Sequence, residues 1–423
     1  MTTTDATTPA IGPADALIFE LLATPEGRRD PYPRYAQLRE QWPVHRLVLD
    51  VPGSSVGTWV LTRFDHCQSV LRHPHVGKDF ASMQRRWGID EGELAAQQAF
   101  SSERPSMLFS DPPDHNRLRG LVSKAFTPRT VEALRPHIVR LADEVLDTLG
   151  TGEVDVMAAL AFPLPVSVIG EMLGVPRADR PQFQRLVRAS AAALEPFVSA
   201  ESLASANEAT LEMEEYFRHL VAERRKAPTD DLLSKLIAAE DGGDQLSTQE
   251  LLSTAILLFA AGFETTTNLI GNGLLALLRH PGELDRLRQD PFLLPSAVEE
   301  LLRYDSPVQV NGRIAGDDIE IDGHAFPAGA TLLVLQGAAN RDPRRFPDAD
   351  RLDIGRADGA SMSFGTGIHF CLGAALARVE GQVVFGRLLE RYRSIELLDD
   401  NPRYRDSITL RGLAALPVSL KQA

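Results

Sequence analysis

FGTGIHFCLG, residues 364–373, places a single cysteine, Cys371, after a loop punctuated by glycines and before a stretch of helix-forming composition, CLGAALARVEGQVVFGRLLERY. Gly365 and Gly367 can take positive φ without a Cβ clash, so the loop can fold back and aim N–H groups at the sulfur. A helix beginning beyond Cys371 would set that sulfur at its N-terminus, where free N–H groups and the dipole favour an anion. Both effects are expected to lower the thiol pKa. Gly373, Ala374 and Ala375 leave the first turn almost without bulk, which suits a flat ligand lying against the helix. Three other chemistries stand beside this one. A free cysteine is commonly a small buried hydrophobe, the reading given to Cys67 in FDHCQSVL. A zinc site needs more ligands than Cys371 and His369, and no CxxC or HxxxH accompanies them. A Cys–His nucleophile pair lacks a third residue to orient the base.

Through Phe364, Gly365, Gly367, His369, Cys371 and Gly373 the loop resembles the haem-ligand loop of the cytochromes P450. The resemblance implies that Cys371 is the axial thiolate to the iron of haem b, iron protoporphyrin IX. It also implies that Phe364, Gly365, His369 and Gly373 lie against the cofactor.

Composition sets wider bounds. The chain has 423 residues, 43% of them hydrophobic, with no Gly/Ser or Pro linker to divide it. One large, mainly helical domain over 14–423 is expected, after a disordered Thr-rich start at 1–13. The net charge of −14 argues against nucleic acid or an anionic membrane as the main partner. Two cysteines about three hundred residues apart make no disulfide framework, so a reducing cytoplasm is the expected compartment; separately, a monomer is expected. The early run ALIFELLA carries Glu20 and lacks a basic region before it, so it reads as neither signal peptide nor anchor.

Leu251 to Leu278 contains a single charge, Glu264, near its middle. A carboxylate at the centre of a lipid-facing span is costly, so the segment reads as a long buried helix. Ser247 followed by Glu250 is a start signal, and Pro281 marks the end. Within it, Gly262 beside Glu264 and Thr265 spends stability at one spot, which suggests a local opening. Ala261, Gly262, Glu264 and Thr265 match the P450 oxygen-activation motif. The resemblance implies that Thr265 hydrogen-bonds the oxygen being activated, that Glu264 relays protons to it, and that Ala261 borders the cofactor. Many relatives carry Asp at position 264.

In SAVEELLRYDSP, Glu300 and Arg303 share a helix face. They resemble the family's Glu-x-x-Arg pair, which joins a later arginine, here assigned to Arg351 in FPDADRLD downstream of AANRDP. His115 and Arg119 are four apart after Pro112 and Pro113 and face the same way. With Arg313 and His369 they match the family's propionate-binding positions. The resemblance runs from about residue 32 to about 418. It includes a small N-terminal sheet, VHRLVLD and GTWVLTRF around PGSS, and implies the P450 fold: mainly α with small β-sheets, a triangular helical domain with a long central helix over the haem.

The implied activity is a monooxygenase that inserts one atom of O₂ into a bulky, mainly apolar small molecule. No flavin or iron–sulfur motif appears, so electrons are expected from a separate ferredoxin with its NAD(P)H-dependent reductase. Arg117, Lys124 and Arg378 are the candidate docking cations. By analogy the substrate pocket takes in Leu257, Ala260, Ala261, Gln309, Thr409 and Leu410. Gly77 to Phe109, with Phe80, Met83, Trp87 and Met107, reads as a lid. The alternatives are a peroxide-driven peroxygenase, which the Glu264–Thr265 pair argues against, and a non-catalytic haem sensor or scaffold.

Overall fold

A computed structural model describes residues 11–48, 56–80, 106–241, 244–357 and 360–422. Its organising element is the helix Thr248–Arg279. The expected capping box is formed: the Ser247 hydroxyl accepts from the Glu250 amide at 3.2 Å, and the Glu250 carboxylate accepts from the Ser247 amide at 2.8 Å. The helix is buried along most of its length, because apolar residues recur on every side of it. The helices Pro163–Met172, Ala200–Lys226, Leu294–Tyr304 and Ala374–Arg391 pack around it. Gly262 leaves the helix unbroken. A Cβ there would stand 2.8 Å from Ile169, so this glycine permits close packing of the helix Pro163–Met172.

The expected small N-terminal sheet is present: Val44–Arg46 pairs antiparallel with Thr58–Leu61 and forms one edge of a five-stranded sheet. Thr331–Leu335 lies parallel to Thr58–Leu61 and is buried at all five positions. Such a continuous apolar run fits a strand covered on both faces. Val310–Ala315 pairs antiparallel with it, setting Arg313 opposite Leu332, and Val76–Gly77 closes the far edge against Ile314 and Ala315. A second sheet joins Gly152–Asp155, Tyr392–Leu397 and Pro417–Gln422. Among the described residues no helix is long and apolar enough to cross a membrane.

The pair expected to brace the fold does so, with a different third member. Arg303 and Glu300 are fully buried and doubly bonded, at 2.7 and 2.8 Å. Arg303 also donates to the carbonyls of Asn340 and Ala349, both at 2.8 Å. The arginine that reaches Glu300 is Arg356, at 3.1 Å, and not Arg351. The Arg351 side chain is largely exposed and pairs with Asp353 at 3.0 Å, while its carbonyl accepts from Arg303. The meander turns between the two arginines, and that turn carries the second guanidinium inward. Asn340, in AANRDP, binds Ser306 and Ser363 and accepts from the Met362 amide, which pins the segment leading into Phe364.

Candidate active site

The Cys371 loop is built as its glycines suggest. Gly365 and Gly367 take φ of 67° and 74°. At Gly367 a Cβ would also strike the Leu71 carbonyl at 2.4 Å. The Cys371 amide donates to the Phe364 carbonyl at 2.9 Å, closing the loop. The helix Ala374–Arg391 follows, with Gly373 as its N-cap, so the sulfur lies just ahead of the first turn. Arg378 stacks over the Phe364 ring at 4.5 Å.

Cys371 is open to an internal cavity yet enclosed by protein. Burial raises the free thiol's pKa, against the lowering effects of the Gly373 amide, Arg119 and Arg378. The loop and helix alone therefore do not produce the lowered pKa read from the sequence, because desolvation outweighs them. A coordinated metal ion would deprotonate the thiol outright. Cys67 is inert by contrast: fully buried, it donates to the Leu61 carbonyl at 3.4 Å, and burial pushes its thiol up.

The cavity has a volume of about 980 Å³ and lies between the Cys371 loop and the central helix. Leu257, Ala260, Ala261, Gly262 and Thr265 face it from the helix, and Thr409 and Leu410 from the C-terminal segment. Gln309 does not. Fully buried, it donates to Tyr32 and to the Ser306 carbonyl, while Val308 and Val310 line the wall. Strand-like alternation explains the inversion, and the apolar residues either side of Gln309 were the available signal. Phe80 and Met107 border the cavity, whereas residues 81–105, with Met83 and Trp87, lie outside the described residues.

Glu264 is 2% exposed and forms an ion pair with Arg405. Arg188 lies close enough for Glu264 to act on its charge. The Thr265 hydroxyl donates back to the Ala261 carbonyl at 3.0 Å, and that of Thr266 to Gly262 at 3.3 Å. Arg405 was not foreseen; it comes from a C-terminal segment without periodic pattern.

A polar corner closes one side of the cavity. Arg119, Arg313 and His369 line it. His115 does not, but its ring packs against His369 with centroids 4.5 Å apart. Arg119 donates to the Phe370 carbonyl at 2.6 Å. Arg313 is 2% exposed, and burial lowers its pKa to about 10. Burial likewise brings His369 down to about 4, opposed by Asp111 and assisted by Lys78, Arg313 and His115. The Nε2 atoms of His115 and His369 are buried without hydrogen-bond partners; Asp111 stands 3.9 Å from the latter. Two docking candidates are engaged within the chain: Arg117 pairs with Glu250, and Arg378 with Glu299 at 3.2 Å.

These residues fit a haem. Among the described residues no cluster of His, Cys, Asp and Glu could hold a metal, so an ion at Cys371 would bring its remaining ligands with it, as a macrocycle does. A Cβ at Gly373 would meet nothing within 4 Å, which leaves the space beside the sulfur clear for a flat ring. Buried cations at the cavity and unpartnered imidazole nitrogens beside it are the donor chemistry that acidic substituents of such a ring would need.

The model of the family described as Cytochrome P450 matches residues 58–419. The chain is 40% identical to the polyketide biosynthesis cytochrome P450 PksS of Bacillus subtilis, covering 95% of this chain and all of that one. The solved PksS structure superposes with a TM-score of 0.82 at 39% identity, over 94% of this chain and 99% of that one. The 6-deoxyerythronolide B hydroxylase of Saccharopolyspora erythraea is 40% identical over 92% of this chain and 96% of its own. P450BioI, solved in complex with an acyl carrier protein bearing hexadec-9Z-enoic acid, gives a TM-score of 0.84 at 35% identity, covering 94% and 99%.

Proposed function

The chain belongs to the cytochrome P450 family and is a monooxygenase with the P450 fold, and from that premise we propose that it hydroxylates or epoxidises a bulky, mainly apolar natural product. Its electrons come from a separate ferredoxin and NAD(P)H-dependent reductase, and its cofactor is haem b. The observation that carries this reading is the 980 Å³ cavity, walled by Leu257, Ala260 and Ala261 on one side and by Val308, Val310 and Leu410 on others. The volume is at the upper end of the range common for small-molecule sites, about 300–1,000 Å³.

Cys371 would ligate the iron, with Arg119, Arg313, His369 and His115 toward the cofactor's carboxylates. When bound, the haem supplies the oxygen-activating chemistry, and its cysteine thiolate ligand favours O–O cleavage. The chain's own contributions are binding, water exclusion and proton control. The apolar wall orients the substrate beside Ala260 and Ala261, whose small side chains leave room. Thr265 presents a hydroxyl at the cavity, tethered to the Ala261 carbonyl. Glu264, held by Arg405, is the neighbouring acid. To relay a proton its carboxylate would leave that ion pair, take up a proton from the solvent side and release it toward Thr265, returning as the carboxylate to Arg405. The likeness to P450BioI supports a second reading, in which the substrate arrives on a carrier protein.

The test compares NAD(P)H-driven turnover through a generic ferredoxin system with turnover on peroxide alone, using a macrolactone-sized substrate panel. Wild type should favour the ferredoxin route. Thr265→Ala should form several-fold less product per NAD(P)H and release peroxide. Full coupling in the variant would remove Thr265 from proton control, and peroxide-only turnover in wild type would make the protein a peroxygenase.

A further inference from the structure

We propose that Lys78 is a further cofactor-anchoring residue, its ammonium holding a haem carboxylate beside Arg313. The inference rests on the haem reading above and adds a residue that the family-like motifs did not indicate. Lys78 follows the edge strand Val76–Gly77, which pairs with Val310–Ala315 and sets Gly77 opposite Ile314, next to Arg313. The side chain is drawn inside, with the residue 8% exposed, and it lines the cavity with Arg119, Arg313 and His369. Its Nζ lies 5.4 Å from the Phe109 ring centroid. Lysine is seldom buried to this extent without an anionic partner.

The nearby carboxylate is already engaged. Asp111 accepts from the Lys78 amide at 2.8 Å through one oxygen and from the Asp79 amide at 3.1 Å through the other. Among the described residues no side chain hydrogen-bonds the Lys78 ammonium. Burial, then the charge of Arg313, hold its pKa well below the usual lysine value, and Asp111 offsets only part of this.

Charge counting gives the ligand class. Among the described residues, three cationic side chains, Lys78, Arg119 and Arg313, converge on this corner against the carboxylate of Asp111. With all three cations protonated the corner carries a surplus of two positive charges, and a ligand with two carboxylates cancels it. Iron protoporphyrin has two propionates. Without Lys78 one of them would lack a full counter-charge beside the buried Arg313.

The experiment follows haem transfer from the holoprotein to excess apomyoglobin, for wild type, Lys78→Met, Lys78→Gln and Lys78→Arg, with the midpoint potential of each. Loss of a charge-assisted contact predicts release roughly tenfold or more faster in the Met and Gln variants. Their midpoints should move negative, because a cation beside the cofactor favours the reduced form, and Lys78→Arg should stay near wild type on both counts. Wild-type release rates and midpoints in Lys78→Met and Lys78→Gln would overturn this proposal alone. A wild-type chain that takes up no haem would overturn the functional reading and this proposal together.

Discussion

Glu380, on the helix after Cys371, is 1% exposed, and its Oε2 has no hydrogen-bond partner. Burial alone raises its pKa well above the ordinary carboxylate value. In the unfolded chain this group ionises near its usual pKa of about 4.3. Above that pH the folded state holds the extra proton, so stability falls as pH rises until the folded group itself ionises. Glu380→Gln should therefore change the melting temperature little at pH 5 and raise it by a few degrees at pH 8. An equal shift at both values would show that no such penalty exists. At this scale the sequence was legible where a residue sits inside a patterned motif, as Cys371 and Thr265 do. Lys78, Gln309 and Glu380 were not, because what decides their roles is which elements close over them.

Elements were read best where a local rule dominates. The capping box and the apolar run defined the helix Thr248–Arg279 closely, and the small N-terminal sheet that the resemblance implied is present in the pairing of Val44–Arg46 with Thr58–Leu61. Its partner strand, Thr331–Leu335, lies some 270 residues later, and no local pattern pairs the two. The meander shows the same limit, with Arg351 and Arg356 both close to the Glu300–Arg303 pair in an irregular segment. The geometry makes an asymmetric prediction. Arg356→Ala strips a buried carboxylate of one of its two cations and should cost about 1.5–3 kcal/mol in denaturant unfolding. Arg351→Ala removes an exposed side chain and should stay within roughly 0.5 kcal/mol. Equal costs would mean that the turn does not deliver Arg356 to Glu300.

Across the whole molecule, the central helix, the Cys371 loop and the five-stranded sheet contribute to one cavity from three directions. The sheet brings Arg313 and Lys78, the helix brings Glu264 and Thr265, and the loop brings the sulfur. Reading the sequence supplied most of these residues but not the space between them, since the cavity's volume depends on long-range packing. The central claim is that this space holds a haem ligated by the Cys371 thiolate. The most direct test is the absorbance difference spectrum of the purified protein, reduced with dithionite and exposed to carbon monoxide. A strongly red-shifted Soret band that is lost in Cys371→Ser is the predicted result; haem with an unshifted band, or no haem absorbance after haem-supplemented expression, would contradict it.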